Sequence, residues 1–228
     1  MGLIFVAEIG LNHNGNFDLC FELIKKAKQS GADIVKFQLG WRSKIDQINY
    51  INRDRLKKLY DWVNFFNIEI MFSVFDINSL KLLNEFNPNR YKIASRTLKE
   101  NFKLVENIVN LNKETFISLG MTNLNYFPFK NDNVKYLWCK SEYPNNYKDV
   151  RLLPNNFVDS QFFGFSDHFI GIEGSLIAIA KGARMIEKHF TLDKSDMTIR
   201  DHTLSATPDE FKLLVDQGRI IHDMLYEN

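Results

Sequence analysis

Short apolar runs alternate with amphipathic stretches along the whole chain. "LIFVAEI" (3–9) precedes "FDLCFELIKKAKQSG" (17–31), and "DIVKFQL" (33–39) precedes "RDRLKKLYDWVNFF" (53–66). "IEIMFSV" (68–74) leads to "NSLKLLNEF" (78–86), and "YKIAS" (91–95) to "NFKLVENIVNL" (101–111). "TFISLG" (115–120) runs into a polar, aromatic stretch without helical periodicity, and "VKYLWC" (134–139) into a weak helical pattern near 149–157. "QFFGFS" (161–166) precedes "GIEGSLIAIAKGA" (171–183), and "RMIEKHF" (184–190) precedes "TPDEFKLLVDQGRIIHDMLY" (207–226). The runs of four to eight apolar or β-branched residues read as buried strands, and the 3.6-residue spacing between them reads as helices. Strand-then-helix alternation implies a parallel sheet. Eight repeats imply a closed (β/α)8 barrel rather than an open doubly wound sheet, which has fewer strands. At 228 residues the barrel is trimmed, with the fifth helix the expected loss, and residues 1–228 form a single domain.

Composition narrows the partners. Hydrophobic residues make up 45% and aromatic residues 14%, enough for a sizeable core. Lys and Arg total 29 against 28 for Asp and Glu, so the formal net charge of +1 gives no electrostatic case for nucleic acid or for a membrane surface. The opening segment has no basic region, and Glu8 interrupts its apolar run, so it reads as neither a signal peptide nor a spanning helix. Two cysteines, Cys20 and Cys139, are too few for a disulfide framework and point to the cytoplasm.

A barrel places its chemistry where the strands end. Every strand tip in this chain carries polar groups. They are Glu8 with Asn12, His13 and Asn14; Lys36 and Gln38; Ser73, Phe75 and Asp76; Lys92 and Ser95; Ser118 and Met121; Cys139, Ser141 and Tyr143; Ser166, Asp167 and His168; and Glu187, Lys188 and His189. Along a strand the side chains alternate, so Glu187 and His189 share one face while Lys188 takes the other. Lys36 and Lys92, with Ser73, Ser95, Ser118 and Ser166, suit a phosphate and a carboxylate. His168 and His189, from adjacent strands and near a carboxylate, suit a divalent ion with open positions. Plainer readings stand beside these. The lysines read also as strand-end residues reaching for water, and each histidine as a packed one. Asp167 reads as an acceptor orienting an imidazole, and Glu8 as half of a salt bridge. Gly171 and Gly174 read as turn residues or as an anion-binding helix start. Phe75, Met121 and Tyr143 read as pocket walls.

In order and spacing, "AEIGLNHNG" (7–15), "GADIVKFQ" (31–38), "YKIAS" (91–95), "SLGM" (118–121), "GFSDH" (164–168) and "IEKHFT" (186–191) resemble the sialic acid synthase family, and "DHTLSATPDEF" (201–211) resembles the lead into its last barrel helix. The resemblance implies a (β/α)8 barrel that condenses phosphoenolpyruvate with an N-acylated hexose such as N-acetylmannosamine, releasing phosphate by C–O cleavage. It implies phosphoenolpyruvate on Lys36, Ser73, Lys92, Ser95, Ser118, Ser141 and Ser166, and a divalent ion, manganese in the first place with magnesium or cobalt as alternatives, on His168 and His189. It makes Glu8 the acid/base group, and it puts Tyr143, Asp167 and Glu187 on the sugar side. Val74, Arg96, Thr97, Leu119 and Trp138 depart from the family pattern. The antifreeze-like domain that follows the barrel in the family, and supplies an arginine across a dimer, has no counterpart in the chain. The expectation is therefore a homodimer of another kind or a separate partner subunit, with Arg96 or Arg200 as candidate substitutes. Two other readings remain open: a Schiff-base aldolase, and a non-catalytic barrel that binds a phosphorylated or acidic sugar.

Overall fold

Eight parallel strands close on themselves in chain order in a computed structural model that describes residues 2–123 and 125–227. The strands are β1 (Ile4–Glu8), β2 (Ile34–Leu39), β3 (Glu69–Val74), β4 (Arg90–Ile93), β5 (Glu114–Ser118), β6 (Val134–Cys139), β7 (Phe162–Asp167) and β8 (Met185–His189). β8 returns to β1 with Glu8 opposite His189, which completes the barrel. Around it lie α1 (Leu19–Gln29), α2 (Arg53–Phe66), α3 (Ile77–Asn84), α4 (Ser95–Glu100), α5 (Phe102–Val109), α6 (Glu173–Ala180) and α7 (Pro208–Tyr226).

The expected trimming falls where the pattern weakened. Among the described residues no helix joins β5 to β6, and the weak pattern after β6 becomes a 3₁₀ turn over Tyr147–Leu152. The fourth unit differs from the reading. Its strand stops at Ile93, Ser95 opens a six-residue helix, and the periodic segment follows as a second helix because Asn101 leaves helical geometry and caps Leu104 with its side chain. α7 begins on a full capping box, with Thr207 and Glu210 each accepting from the other's backbone N–H and Pro208 in the first turn.

Strand alternation sorts the side chains into two layers. Outward residues such as Phe5, Val35, Phe72, Tyr91, Ile117, Phe165 and Ile186 join the helices in one continuous core. Inward residues Val6, Ile34, Met71, Phe116, Leu137 and Met185 form a small apolar plug inside the barrel. Two residues further along each of those strands, the inward positions become Glu8, Lys36, Ser73, Ser118, Cys139 and Glu187. The plug closes the barrel from below, so everything polar that points inward faces one mouth.

Candidate active site

Four ionisable groups from β1, β2, β4 and β8 meet on top of the plug. Lys36 Nζ lies 2.6 Å from Glu8 Oε2 and 3.7 Å from Glu187 Oε1, while Lys92 Nζ lies 3.6 Å from that same Glu187 oxygen. Hydroxyls complete the shell. Lys36 donates to Ser73 Oγ at 3.0 Å, Lys92 donates to Ser118 Oγ at 2.7 Å, and Ser166 donates to Glu187 at 2.9 Å. Gln38 donates to Glu8 Oε1 at 3.2 Å. All four charged side chains are buried.

The environment tunes these groups in opposite directions. Burial opposes the charge on Lys36, but the carboxylates of Glu187 and Glu8 outweigh it and raise its pKa above the usual lysine range. Burial lowers the pKa of Lys92, and the neighbouring Lys36 adds to that effect. Burial would raise Glu187, yet the two ammonium groups and Ser166 overcome it and hold its carboxyl at about 2. The floor therefore keeps Glu187 ionised between the lysines, and Glu187 Oε2 has no hydrogen-bond partner.

The tips of β7 and β8 carry the imidazoles. The ring centroids of His168 and His189 are 5.5 Å apart, and Tyr143 packs over His168 at 4.1 Å. The Lys140 carbonyl stands 2.9 Å from His168 Nδ1, which makes that nitrogen the N–H donor and leaves the Nε2 lone pair free. Burial, together with the nearby His189, lowers the His168 pKa to about 3, so this imidazole is neutral. His189 Nδ1 is buried without a partner. Two imidazoles, one with a tautomer set by a carbonyl and one with an orphaned nitrogen, fit a borderline divalent ion. Among the described residues, the set of three ligand-capable groups within 4.8 Å of one another is His222, Asp223 and Glu227 at the end of α7, and not a set that includes the paired imidazoles.

A cavity with an empty volume of about 810 Å³ joins floor and imidazoles into one site. Glu8, Lys36, Ser73, Phe75, Lys92, Ser95, Ser118, Met121, Ser141, Tyr143, Ser166, His168, Glu187 and His189 all line it, as the sequence reading placed them at strand tips. Burial raises the Tyr143 phenol above its ordinary range, so the ring presents a neutral O–H. Gly120 lets the walls close: a Cβ there would stand 2.5 Å from Ser141 Oγ and 2.9 Å from Cys139 Sγ, and its N–H donates to Ser95 Oγ at 2.8 Å.

Several expectations need correction. Asp167 does not face the cavity. It follows Ser166 on β7, so it points outward with Phe165, where it is fully buried and paired with Lys188 at 3.3 Å. Nor does it orient an imidazole; its Oδ1 accepts from the Phe169 N–H. Glu187 does line the cavity, and it stands between the two lysines. Gly171 and Gly174 lie outside the cavity, the first in a turn at φ +81° and the second packed against the Phe169 ring. Asn12, His13 and Asn14 tie loops together through Ser205, Asn49 and Asp196.

Two further lining residues, Trp41 and Asp201, carry no expectation from the sequence, while Arg96 and Arg200, the two candidate substitutes, both line the cavity. Trp41 lines the mouth and packs against Phe75, with Arg96 over its ring at 5.4 Å. Asp201 lines it too, and Arg200 lies over the Tyr143 ring at 4.5 Å. Both come from the segment after β8, which folds back so that Ala206 N donates to His189 O at 2.7 Å. The acid–base run "RDH" was a visible signal, but its return to the barrel mouth was not.

Fold and site together define a (β/α)8 barrel with a buried lysine, carboxylate and hydroxyl floor beside paired imidazoles. The NeuB family pattern matches residues 41–228, and the chain belongs to that family. It is 34% identical to the N,N'-diacetyllegionaminic acid synthase of Campylobacter jejuni, over 96% of this chain and 76% of that one. It is 32% identical to the pseudaminic acid synthase of the same species, over 95% of this chain and 73% of that one. The solved N-acetylneuraminic acid synthetase of Leptospira borgpetersenii, in complex with citrate, superposes with a TM-score of 0.85 at 28% identity, covering 99% of this chain and 86% of that one. Among the described residues no helix is long and apolar enough to cross a membrane.

Proposed function

We propose that the protein condenses phosphoenolpyruvate with the open-chain aldehyde of an N-acylated amino hexose, forming a nonulosonic acid and releasing phosphate. The observation that carries this reading is the joining, in one cavity, of two buried lysines with a hydroxyl shell and a pair of imidazoles. The names of the matched synthases support it.

Lys36 and Lys92 each carry three N–H donors, and Glu187 and Glu8 hold them aimed at the cavity floor. There they neutralise phosphate and carboxylate, with Ser73, Ser95, Ser118, Ser141 and Ser166 donating around them. The enol carbon attacks the aldehyde, a C–C bond forms, and the aldehyde oxygen takes the proton that Glu8 carries, which the water of the next step replaces. Water adds to the cationic C2, and Glu8 accepts the proton it sheds. The C2–O bond to phosphate then breaks with its electron pair leaving on phosphate, and the C2 hydroxyl gives its proton to the departing phosphate as the ketone forms. A manganese, magnesium or cobalt ion on His168 and His189 would supply Lewis-acid polarisation of the acceptor carbonyl. Tyr143, Phe75, Met121 and Trp41 form the wall on which the sugar rests.

Assays with phosphoenolpyruvate, Mn²⁺ and N-acetylmannosamine or a diacetylated hexose test this directly, read as phosphate release and product mass. No phosphate release with any acceptor would leave the non-catalytic reading in place. The lowered pKa of Lys92 favours one competing reading, a Schiff-base aldolase. Borohydride trapping of substrate on Lys92 would establish that reading and exclude the condensation.

A further inference from the structure

Directly behind the site, on the outer face of the barrel wall, Asp167 and Lys188 form an ion pair with no exposed side-chain surface. They are register partners at the tips of β7 and β8. Two contacts of the pair lead to the backbone beside the imidazoles, and a third leads to α6. Asp167 Oδ1 accepts from Phe169 N–H at 2.7 Å, and Lys188 Nζ donates to the Phe169 carbonyl, so the two side chains grip the residue next to His168 from both of its polar ends. Asp167 Oδ2 accepts from Ser175 Oγ at 2.6 Å, which anchors the grip to α6. Lys188 itself sits between Glu187 and His189, so fixing its side chain outward fixes theirs inward.

We propose that the Asp167–Lys188 pair is a positioning device: from outside the wall it sets the spacing of His168 and His189 and thereby the capacity of the site to hold a divalent ion. A buried ion pair is a poor source of stability, because desolvation offsets the attraction. Its worth lies in geometry, since supporting partners set ligand orientation. The inference rests on the metal-assisted reading of the site.

The test is the double variant Asp167→Asn/Lys188→Met, which removes both charges together and strands neither. Co²⁺ titration followed by visible absorption reads the imidazole site, with His168→Ala/His189→Ala as the blank, and calorimetric titration of phosphoenolpyruvate reads the floor. The expected result is a folded barrel whose Co²⁺ affinity falls by about tenfold or more while phosphoenolpyruvate affinity stays within about twofold. Unchanged Co²⁺ affinity overturns the inference and leaves the proposed function standing. An equal loss of phosphoenolpyruvate affinity marks general loosening of the wall and also overturns it. Should the double variant not fold, Ser175→Ala, which removes one anchor, is expected to weaken Co²⁺ binding several-fold, and wild-type affinity there overturns the inference too. A wild-type protein that takes up no Co²⁺ at the histidines sinks the functional reading and this inference with it.

Discussion

Two buried charge clusters lie on opposite faces of the barrel wall, the inner one gathered from β1, β2, β4 and β8 and the outer one from the tips of β7 and β8. Inside, Glu8, Lys36, Lys92 and Glu187 share a cavity, and polar atoms such as Glu187 Oε2 and His189 Nδ1 lack partners. Outside, Asp167 and Lys188 are sealed from solvent, and both carboxylate oxygens and the ammonium are engaged by protein groups. The inner cluster is built to be completed by something that arrives. The outer one is complete already, and so it can hold a shape. An orphaned buried polar group is costly; a fold that tolerates several at one mouth keeps them for a ligand.

The sharpest break in that comparison is removal of the imidazoles. His168→Ala/His189→Ala is expected to abolish metal uptake and turnover while circular dichroism stays that of the intact barrel; full activity of the wild type in EDTA would contradict the metal role. Next, Glu8→Gln should keep phosphoenolpyruvate binding and lose about 10²–10⁴-fold in turnover, the range for a positioned acid/base, as read by calorimetry beside steady-state kinetics. Third, the lysines of the two clusters should answer differently to the same change. Lys188→Met leaves Asp167 charged in a sealed site and should cost about 3–5 kcal/mol in urea unfolding. Lys36→Met leaves Glu8 beside an open cavity, so it should cost less stability yet weaken phosphoenolpyruvate binding. The reverse order would mean the inner cluster is structural. Least disruptive is Ser73→Ala, which removes the hydroxyl 3.0 Å from Lys36 Nζ. It should weaken phosphoenolpyruvate binding by about 1 kcal/mol, roughly fivefold, and Ser73→Thr should restore it.

The reach and the limit of the sequence show at β7. Period-two alternation on β8 correctly separates Glu187 and His189 from Lys188. The same rule applied to "FSDH" would have put Ser166 and His168 inside and Asp167 outside, with Phe165. Asp167 carries two other expectations, an imidazole acceptor from its neighbours' chemistry and a sugar-side position from the resemblance, and its outward direction defeats both. Trp41 and Asp201 were hidden for a different reason. They sit in connections after β2 and β8 whose paths no periodicity encodes.

What the linear chain carries is local: eight apolar runs, the helical spacing between them, the capping box before α7, and a polar residue at every strand end. These follow from side-chain volume, backbone propensity and burial, all of which act over a few residues. What closing the barrel added was distance: which lysine shares a carboxylate with which, and which acid faces away from the cavity. Contacts such as Lys92 with Glu187 join residues far apart in the chain, and strand register and barrel closure bring them within 3.6 Å.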